Sequence, residues 1–271
     1  MAPRSYEKRV NRRFSLASGI FLGLVLTGTM VQPLRAQTIP PRIAAVSQIA
    51  SGGGWKTTLT IVNSVSALNN VSVWFFDDSG NPLQLPITVT QFGVPATIND
   101  SHFSAPIAPL GILVAETEAP SATPVVGWAR IEYESGVTGY AVFRQRDASG
   151  RDMEGTAPVQ SYGAARVLIP FDNIAGFRSA FALANVNASA VTVTAIVRNE
   201  SGFQVDRESF ALPGFGHAAF VSTDWFGAAA GIRGTIEFST GTGTSLVGIG
   251  LRFNPSGSFT SIPATLRAAV Q

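Results

Sequence analysis

From Thr58 onward, apolar and polar positions alternate with a period of two. Leu59, Ile61 and Asn63 are set against Thr58, Thr60 and Val62, and then Val71, Val73 and Phe75 against Ser72, Trp74 and Phe76. The same rhythm returns later: Phe181 and Leu183 against Ala180, Ala182 and Ala184, then Val191, Val193, Ala195 and Val197 against Thr192, Thr194, Ile196 and Arg198. A two-residue period carried by β-branched and aromatic side chains predicts half-buried strands. After each pair the pattern breaks at a turn, Asp77-Asp78-Ser79-Gly80-Asn81-Pro82 in one case and Asn199-Glu200-Ser201-Gly202 in the other. There Gly supplies a positive φ and Asp or Asn bonds its own backbone. Trp55 and Phe177 lie 122 positions apart, and that offset superposes Leu59 on Phe181, Asn63 on Asn185, Val71 on Val193 and Gly80 on Gly202. An ungapped match of this length predicts an internal duplication.

Further strand-like segments follow in the same order in each copy. Ala105 to Ala115, with Pro109-Leu110-Gly111, corresponds to Phe210 to Val221, with Pro213-Gly214-Phe215-Gly216. Arg130 to Tyr133 corresponds to Thr235 to Phe238, and Gly139 to Arg144 to Gly248 to Phe253. Many short strands between Gly, Pro, Asn and Ser turns predict an all-β fold of two tandem antiparallel β-sandwich, Ig-like domains. The expected boundaries are 37–162 and 163–271, behind a leader at 1–36. One short helix is expected where Thr223-Asp224-Trp225-Phe226 caps a run ending at Gly231. Arg144 to Glu154, whose charges alternate in sign around Ser149-Gly150, reads as a solvated hairpin or connector.

The leader changes the picture of where the chain works. Arg4, Lys8, Arg9, Arg12 and Arg13 precede a charge-free apolar run, Phe14 to Val31, and Leu34-Arg35-Ala36 puts a small residue before Gln37. This is the layout of a signal peptide, a helical leader cleaved between Ala36 and Gln37. An uncleaved anchor is the alternative, and both place the remainder outside the cytoplasm. Arg12-Arg13-Phe14-Ser15-Leu16 also resembles a twin-arginine signal, with Ser15 departing from the pattern. No Cys is present, so neither a lipoprotein anchor nor a disulfide framework is available. The expected location is secreted, periplasmic or cell-surface, with no stable membrane span after cleavage.

The net charge of +2 belongs to that leader. Residues 1–36 hold six of the 19 basic groups and one of the 17 acidic groups, leaving 13 against 16. A slightly acidic remainder, with Lys56 as its one lysine, speaks against nucleic acid as a partner. Charged residues make up 13% of the chain, below the ~25% of an average globular protein, so hydroxyls and amides carry the surface.

The segments GGGWKTTLTIVN, VWFFDDSGNPL, GWARIE, GYAVFRQ, VLIPFDN, GTIEFS and GLRFNPSGSFTSIP together resemble an uncharacterised family of exported bacterial proteins built from paired β-sandwich repeats. The resemblance spans nearly all of the chain after the leader. It implies fold and export, and no active site comes with it.

Candidate chemistry is thin. Ser51-Gly52-Gly53-Gly54-Trp55-Lys56-Thr57 has the outline of a phosphate loop, but Trp55 stands where Gly is needed and a strand follows instead of a helix. Phe76-Asp77-Asp78-Ser79-Gly80 contains the Asp-Ser-Gly that begins the loop of an aspartic protease, which needs a second matching carboxylate, and the other copy offers Glu200-Ser201-Gly202. Asp77, Asp78 and Asn81 are too few oxygens for calcium. His102 and His217 stand apart from other ligands and read as surface or strand-end residues. No G-x-S-x-G elbow occurs. Glu132 and Glu237, with Arg144 and Arg252 on the following strands, suggest a repeated cross-strand ion pair. Trp55, Trp74, Trp128 and Trp225 are candidate ligand platforms for sugar rings, with core or inter-domain packing as the competing reading. The expectation is an exported, non-enzymatic binding, adhesion or envelope-structural module without a cofactor, its partner an extracellular or envelope polysaccharide or protein. The alternatives are an extracellular hydrolase or carbohydrate-active protein with a site at the module interface, and a periplasmic assembly chaperone.

Overall fold

The alternating segments form strands in a computed structural model that describes residues 41–241, 243 and 245–267. The leader, Ala36 and Gln37 lie outside the described residues. The first ten strands are β1 (Arg42–Ser51), β2 (Trp55–Asn63), β3 (Asn69–Phe76), β4 (Leu85–Gln91), β5 (Val94–Asp100), β6 (His102–Ile107), β7 (Ile112–Thr117), β8 (Val125–Tyr133), β9 (Val137–Arg146) and β10 (Asp152–Pro158). They make two antiparallel sheets, ordered β1-β8-β3-β6 and β10-β9-β2-β7-β4-β5. The rest are β11 (Arg166–Asp172), β12 (Arg178–Asn185), β13 (Val191–Asn199), β14 (Gln204–Leu212), β15 (His217–Val221), β16 (Arg233–Ser239), β17 (Leu246–Phe253), β18 (Phe259–Pro263) and β19 (Thr265–Arg267). These give the sheets β14-β13-β16-β11-β19 and β15-β12-β17-β18. The fold is all-β and sandwich-like, with its sheets drawn separately from residues 42–158 and 166–267.

The alternation is what drives this layering. Leu59, Ile61, Val71, Val73 and Phe75 are buried and share one core with Ile87, Phe103, Ile131 and Phe143. Phe181, Leu183, Val193 and Val197 share another with Ile169, Ile236 and Phe238. Within each half, the first two strands go to different sheets and each pairs with a late strand of its own sheet, β11 with β16 and β12 with β17 in the second half. In the first half β1 pairs with β8, and β9 with β2. An Ig domain pairs its first strand with its second and its last with its penultimate. Here β1 and β2 lie in different sheets, as do β8 and β9, β11 and β12, and β16 and β17.

Two local devices recur. Asn63 is fully buried at the end of β2. Its Nδ2 donates to the carbonyls of Ala67 at 2.7 Å, Ala108 at 2.9 Å and Ile107 at 3.2 Å, and its Oδ1 accepts from the Val65 N–H at 3.2 Å. Asn185, at the end of β12, donates to Ser189 O at 2.8 Å and Pro213 O at 2.9 Å and accepts from the Asn187 N–H at 3.1 Å. Each amide ties a strand end to the loop after it and to a later turn, the one joining β6 to β7 in the first half and β14 to β15 in the second. The second device is a five-residue turn beginning with Asp77, Asp147, Asn199 or Asn254. In each, the first side chain's Oδ1 accepts from the backbone N–H two and four residues on, at 2.8–3.1 Å. The fourth residue is Gly80, Gly150, Gly202 or Gly257, at φ between 82° and 90°. The Asp147 carboxyl, which also accepts from the Ser149 hydroxyl and the Arg151 guanidinium, is held well below the usual carboxylate range by those bonds.

The repeated ion pair needs correction, while the expected short helix forms and one further hairpin is added. Glu132 does not pair with Arg144, nor Glu237 with Arg252, because β8 and β9 belong to different sheets, as do β16 and β17. Glu132 is instead bound by Arg130 on its own strand, and Glu237 by Arg166 across β11, while Arg252 meets Asp172 at 2.8 Å. Arg144 lies between Glu118 at 4.0 Å and Asp152 at 3.9 Å. The helix α1 (Ser222–Trp225) is a single turn entered from Val221 with no side-chain cap, followed by a 3-10 turn at Gly227–Ala229. The segment Leu85–Asp100, to which sequence patterning assigned no strand, forms the hairpin β4–β5.

Candidate functional site

The two halves belong to one compact unit, and the residues suspected of chemistry are mostly spent on the seam between them. β12 is buried on both faces from Phe181 onward: its second face, Ala182 and Ala184, lets β1 approach closely. Trp128, fully buried on β8, stacks on Phe76 at 5.3 Å and donates its Nε1–H to the Phe215 carbonyl at 2.6 Å. Phe76 in turn stacks on Phe215 at 4.9 Å, and the Arg130 guanidinium lies 5.6 Å from the Phe215 ring. Trp74 packs against the same cluster and stacks on His102 at 3.8 Å, and Trp55 lies 5.6 Å from Phe259 of β18. A platform reading is therefore overturned for Trp128, whose ring has no exposed face. Trp225 is elsewhere, part-exposed on the second half, stacked on Phe220 at 3.9 Å and edge-on to Phe210 at 4.8 Å.

His217 also belongs to the seam: it is a strand-end residue, one of the two expected readings, and not a surface one. It begins β15, its side chain is fully covered, and its Nδ1 lies 2.7 Å from Asp78 Oδ1 and its Nε2 3.1 Å from Gln48 Oε1. An acid–imidazole pair is half of a nucleophile-activating relay. Here the second ring nitrogen meets an amide where a hydroxyl or thiol would have to stand, and no substrate can reach it. The pair works as a clasp: Asp78 and Gln48 come from the first half, and Asp78 O also accepts from the His217 N–H at 3.2 Å.

The remaining candidates resolve as follows. The Asp77 carboxylate is turned into its own loop, and Asp78 onto His217, so the suspected protease and calcium oxygens are engaged within the fold. Gly52 and Trp55 exchange backbone bonds of 2.9 Å in the corner between β1 and β2, while Lys56 Nζ pairs with Glu116 at 3.0 Å and Glu118 at 3.6 Å. The bond from Lys56 is the main reason the Glu116 carboxyl is lowered below its ordinary range. On the outer face of its sheet, His102 Nε2 lies 3.2 Å from Ser104 Oγ, which lies 2.8 Å from Ser72 Oγ. No carboxylate meets that imidazole among the described residues. None of the described residues form a group of three or more metal-ligating His, Asp or Glu side chains.

Gly80 shows how tightly the seam is made. A Cβ there would fall 2.0 Å from the Gly214 carbonyl oxygen, whereas at Gly202, in the equivalent turn, nothing lies within 4 Å. Both have φ near 80°, so alanine is strained at either. Gly202→Ala is expected to cost about 1 kcal/mol and Gly80→Ala at least ~2 kcal/mol more, since backbone must move. Urea denaturation of the two variants measures the difference; equal losses would mean the turn does not dock as described.

What the seam leaves free is the open side of the first half. The β4–β5 hairpin turns at Phe92 and Gly93, with φ of 48° and 78°, as a two-residue hairpin of the type that matches strand twist. It makes one sheet six strands wide against four in the other. Its inward face therefore overhangs β6 without cover. A groove of about 440 Å³ runs there, lined by Val89, Gln91, Val94, Ala96, Ile98, Phe103 and Ala105. Phe92 and Val94 are 68% exposed and Ile98 37%. Single exposed apolar side chains are ordinary, but a contiguous apolar groove marks an interaction surface. The signal in the sequence was Ile87 and Val89 alternating with Thr88 and Thr90, and it is short.

No family model, curated protein or solved structure matches this chain. Among the described residues no helix is long and apolar enough to cross a membrane.

Proposed function

We propose that the chain is an exported, non-catalytic binding protein of the cell envelope or exterior. It is built from two duplicated Ig-like sandwiches, and it engages its partner through the open groove of the first. The observation that carries this reading is the uncovered apolar face of β4–β5. The duplication is supported by the 122-residue offset, by strand orders that match when the β4–β5 hairpin and β19 are set aside, and by the two buried asparagines with equivalent bonds. Export is supported by the basic, apolar and small-residue order of the first 36 positions and by the resemblance to paired-repeat exported proteins. A hydrolase sited between the halves loses its best candidate, since the His217 imidazole is covered and faces an amide.

The test is retention of the chain from Gln37 onward on cell-envelope fractions and polysaccharides. The double variant Val94→Asp/Ile98→Asp is expected to weaken retention at least tenfold, with the unfolding midpoint little changed because both side chains line the open groove and neither belongs to a buried core. Retention unaffected by the double variant, or turnover of a generic ester, peptide or glycoside by the wild type, contradicts the reading.

A further inference from the structure

Resting on that reading of the groove, we propose that its occupant is an extended peptide segment of a partner polypeptide, with alternating apolar side chains. The segment adds to the free edge of β6 as a fifth strand of that sheet. Its inward side chains, an aromatic one among them, fill the space over Ala105, Phe103 and Ile98.

The second half shows what belongs in such a space. Ala105 pairs with Val71 across β3–β6, and Phe210 pairs with Val193 across β13–β14. Val71 and Val193 are 122 residues apart, so Ala105 and Phe210 hold corresponding places. Ala115, four residues beyond Gly111, likewise corresponds to Phe220, four beyond Gly216. In the second half the gap between the edge strands β14 and β15 is closed from within the chain, because Trp225 touches both Phe210 and Phe220. The first half has alanine at both places: Ala115 is covered by its pairing with Val89 of β4, and the space over Ala105 stays open, where the second half has three rings. Aromatic and apolar filling is thus the chemistry this architecture uses at that place, and in the first half it has to come from outside.

The backbone at the groove indicates a strand. β6 pairs only with β3 and ends its sheet. Proline within an edge strand turns its nitrogen to the free side, which orients Pro106 outward. Its carbonyl on that side already accepts a bond from Gln91 Nε2 at 2.7 Å, a side chain standing where the next strand would run. Two residues back, Ser104 shares this orientation by the alternation of an antiparallel ladder and presents an N–H and a C=O to the groove. The other free edge, β5, is blunted by Pro95 at an outward position: Gln91 and Val94 close the hairpin as a bonded pair, so Pro95 is unbonded to β4. Strand addition gives affinity through main-chain bonds and selectivity through alternate side-chain pockets.

Size and charge argue against other occupants. Phe92, Val94 and Ile98 together expose on the order of 300 Å² of side chain. A stable pair of folded copies needs ~800 Å² from each partner. No Lys or Arg lines the groove, as an anionic lipid surface would require.

The experiment titrates ¹⁵N-labelled protein with synthetic nine-residue peptides alternating Thr and Val, the central residue being Trp, Phe or Leu. A matched set carries N-methyl groups on the backbone nitrogens that would face β6. The expected result is saturable shifts confined to residues 94–106, with binding weakened at least tenfold by N-methylation, by Ala105→Phe, which fills the space from within, and by Ser104→Pro, which removes the outward N–H. The N-methylated peptides leave the protein untouched, so they decide the matter even if Ser104→Pro unfolds. Equal binding of N-methylated and plain peptides overturns strand addition while leaving the groove as the binding surface. Shifts at 94–106 with phosphatidylglycerol vesicles or on concentration-dependent dimerisation, without any from the peptides, overturn it in favour of a lipid or a second copy. No response to any peptide overturns it too, and envelope retention sensitive to Val94→Asp/Ile98→Asp then stands independently.

Discussion

Trp128→Ala is expected to lower the free energy of unfolding by about 3–5 kcal/mol, the range for emptying a buried large aromatic site. The ring is fully buried between Phe76 and the loop of the second half, and its Nε1–H satisfies the Phe215 carbonyl. Truncation therefore leaves both a cavity and an orphaned acceptor. For a domain of this size the midpoint of thermal unfolding should fall by about 10 °C. Phe92→Ala, at the exposed hairpin tip, serves as the control and should stay within ~0.5 kcal/mol. Because the cavity lies on the seam, the variant should also loosen the halves: amides of β15 and β1 should exchange faster than those of β13. A loss no larger than that of Phe92→Ala would show that the seam is not packed as described.

The second large effect belongs to the buried asparagines. Asn63→Ala removes an amide that donates to three carbonyls and accepts from one N–H, and Asn185→Ala removes its counterpart in the second half. Leaving such groups without partners costs ~1–3 kcal/mol for each one that water cannot reach. Each variant should therefore lose about 3 kcal/mol. Asn63→Asp should not rescue the loss, since a carboxylate can still accept from Val65 N–H but has nothing to donate to Ala67, Ala108 and Ile107. Guanidinium denaturation of the three variants checks this. If the alanine variants differ from each other by more than ~2 kcal/mol, the two sites are not equivalent and the duplication loses its best structural support.

The strands and turns were legible because they rest on local chemistry. Alternation at Leu59–Asn63 and Val191–Val197 needs only a sheet with one face covered, and the turns after Asp77 and Asn199 need only an Asx side chain and a glycine in the right places. What escaped depends on which strands end up in the same layer. Glu132 and Arg144 sit on consecutive strands, and consecutive strands usually pair, but β8 and β9 lie in opposite sheets. His217 and Asp78 are 139 residues apart, and nothing local marks either as the other's partner. The alternation of Phe181 and Leu183 with Ala180, Ala182 and Ala184 predicted the strand β12, but nothing local showed that the alanine face would be buried as well, its small side chains admitting β1.

The groove was hidden for a related reason. Val94, Ala96 and Ile98 form an ordinary apolar face in sequence, and only the mismatch of a six-stranded sheet over a four-stranded one leaves it uncovered. Of the candidate residues that looked chemical, Asp77, Asp78 and His217 satisfy one another or their own backbone, and Lys56 pairs with Glu116 and Glu118. The residues proposed to act are those that looked like core.

Amide hydrogen exchange of the chain from Gln37 onward, with and without a saturating envelope fraction that retains it, tests the central claim most directly. The account predicts slowed exchange confined to residues 94–106, with the seam at Phe215–His217 and the outer strands of the second half unchanged. Protection that instead falls on the second half or leaves β5 and β6 untouched would contradict it.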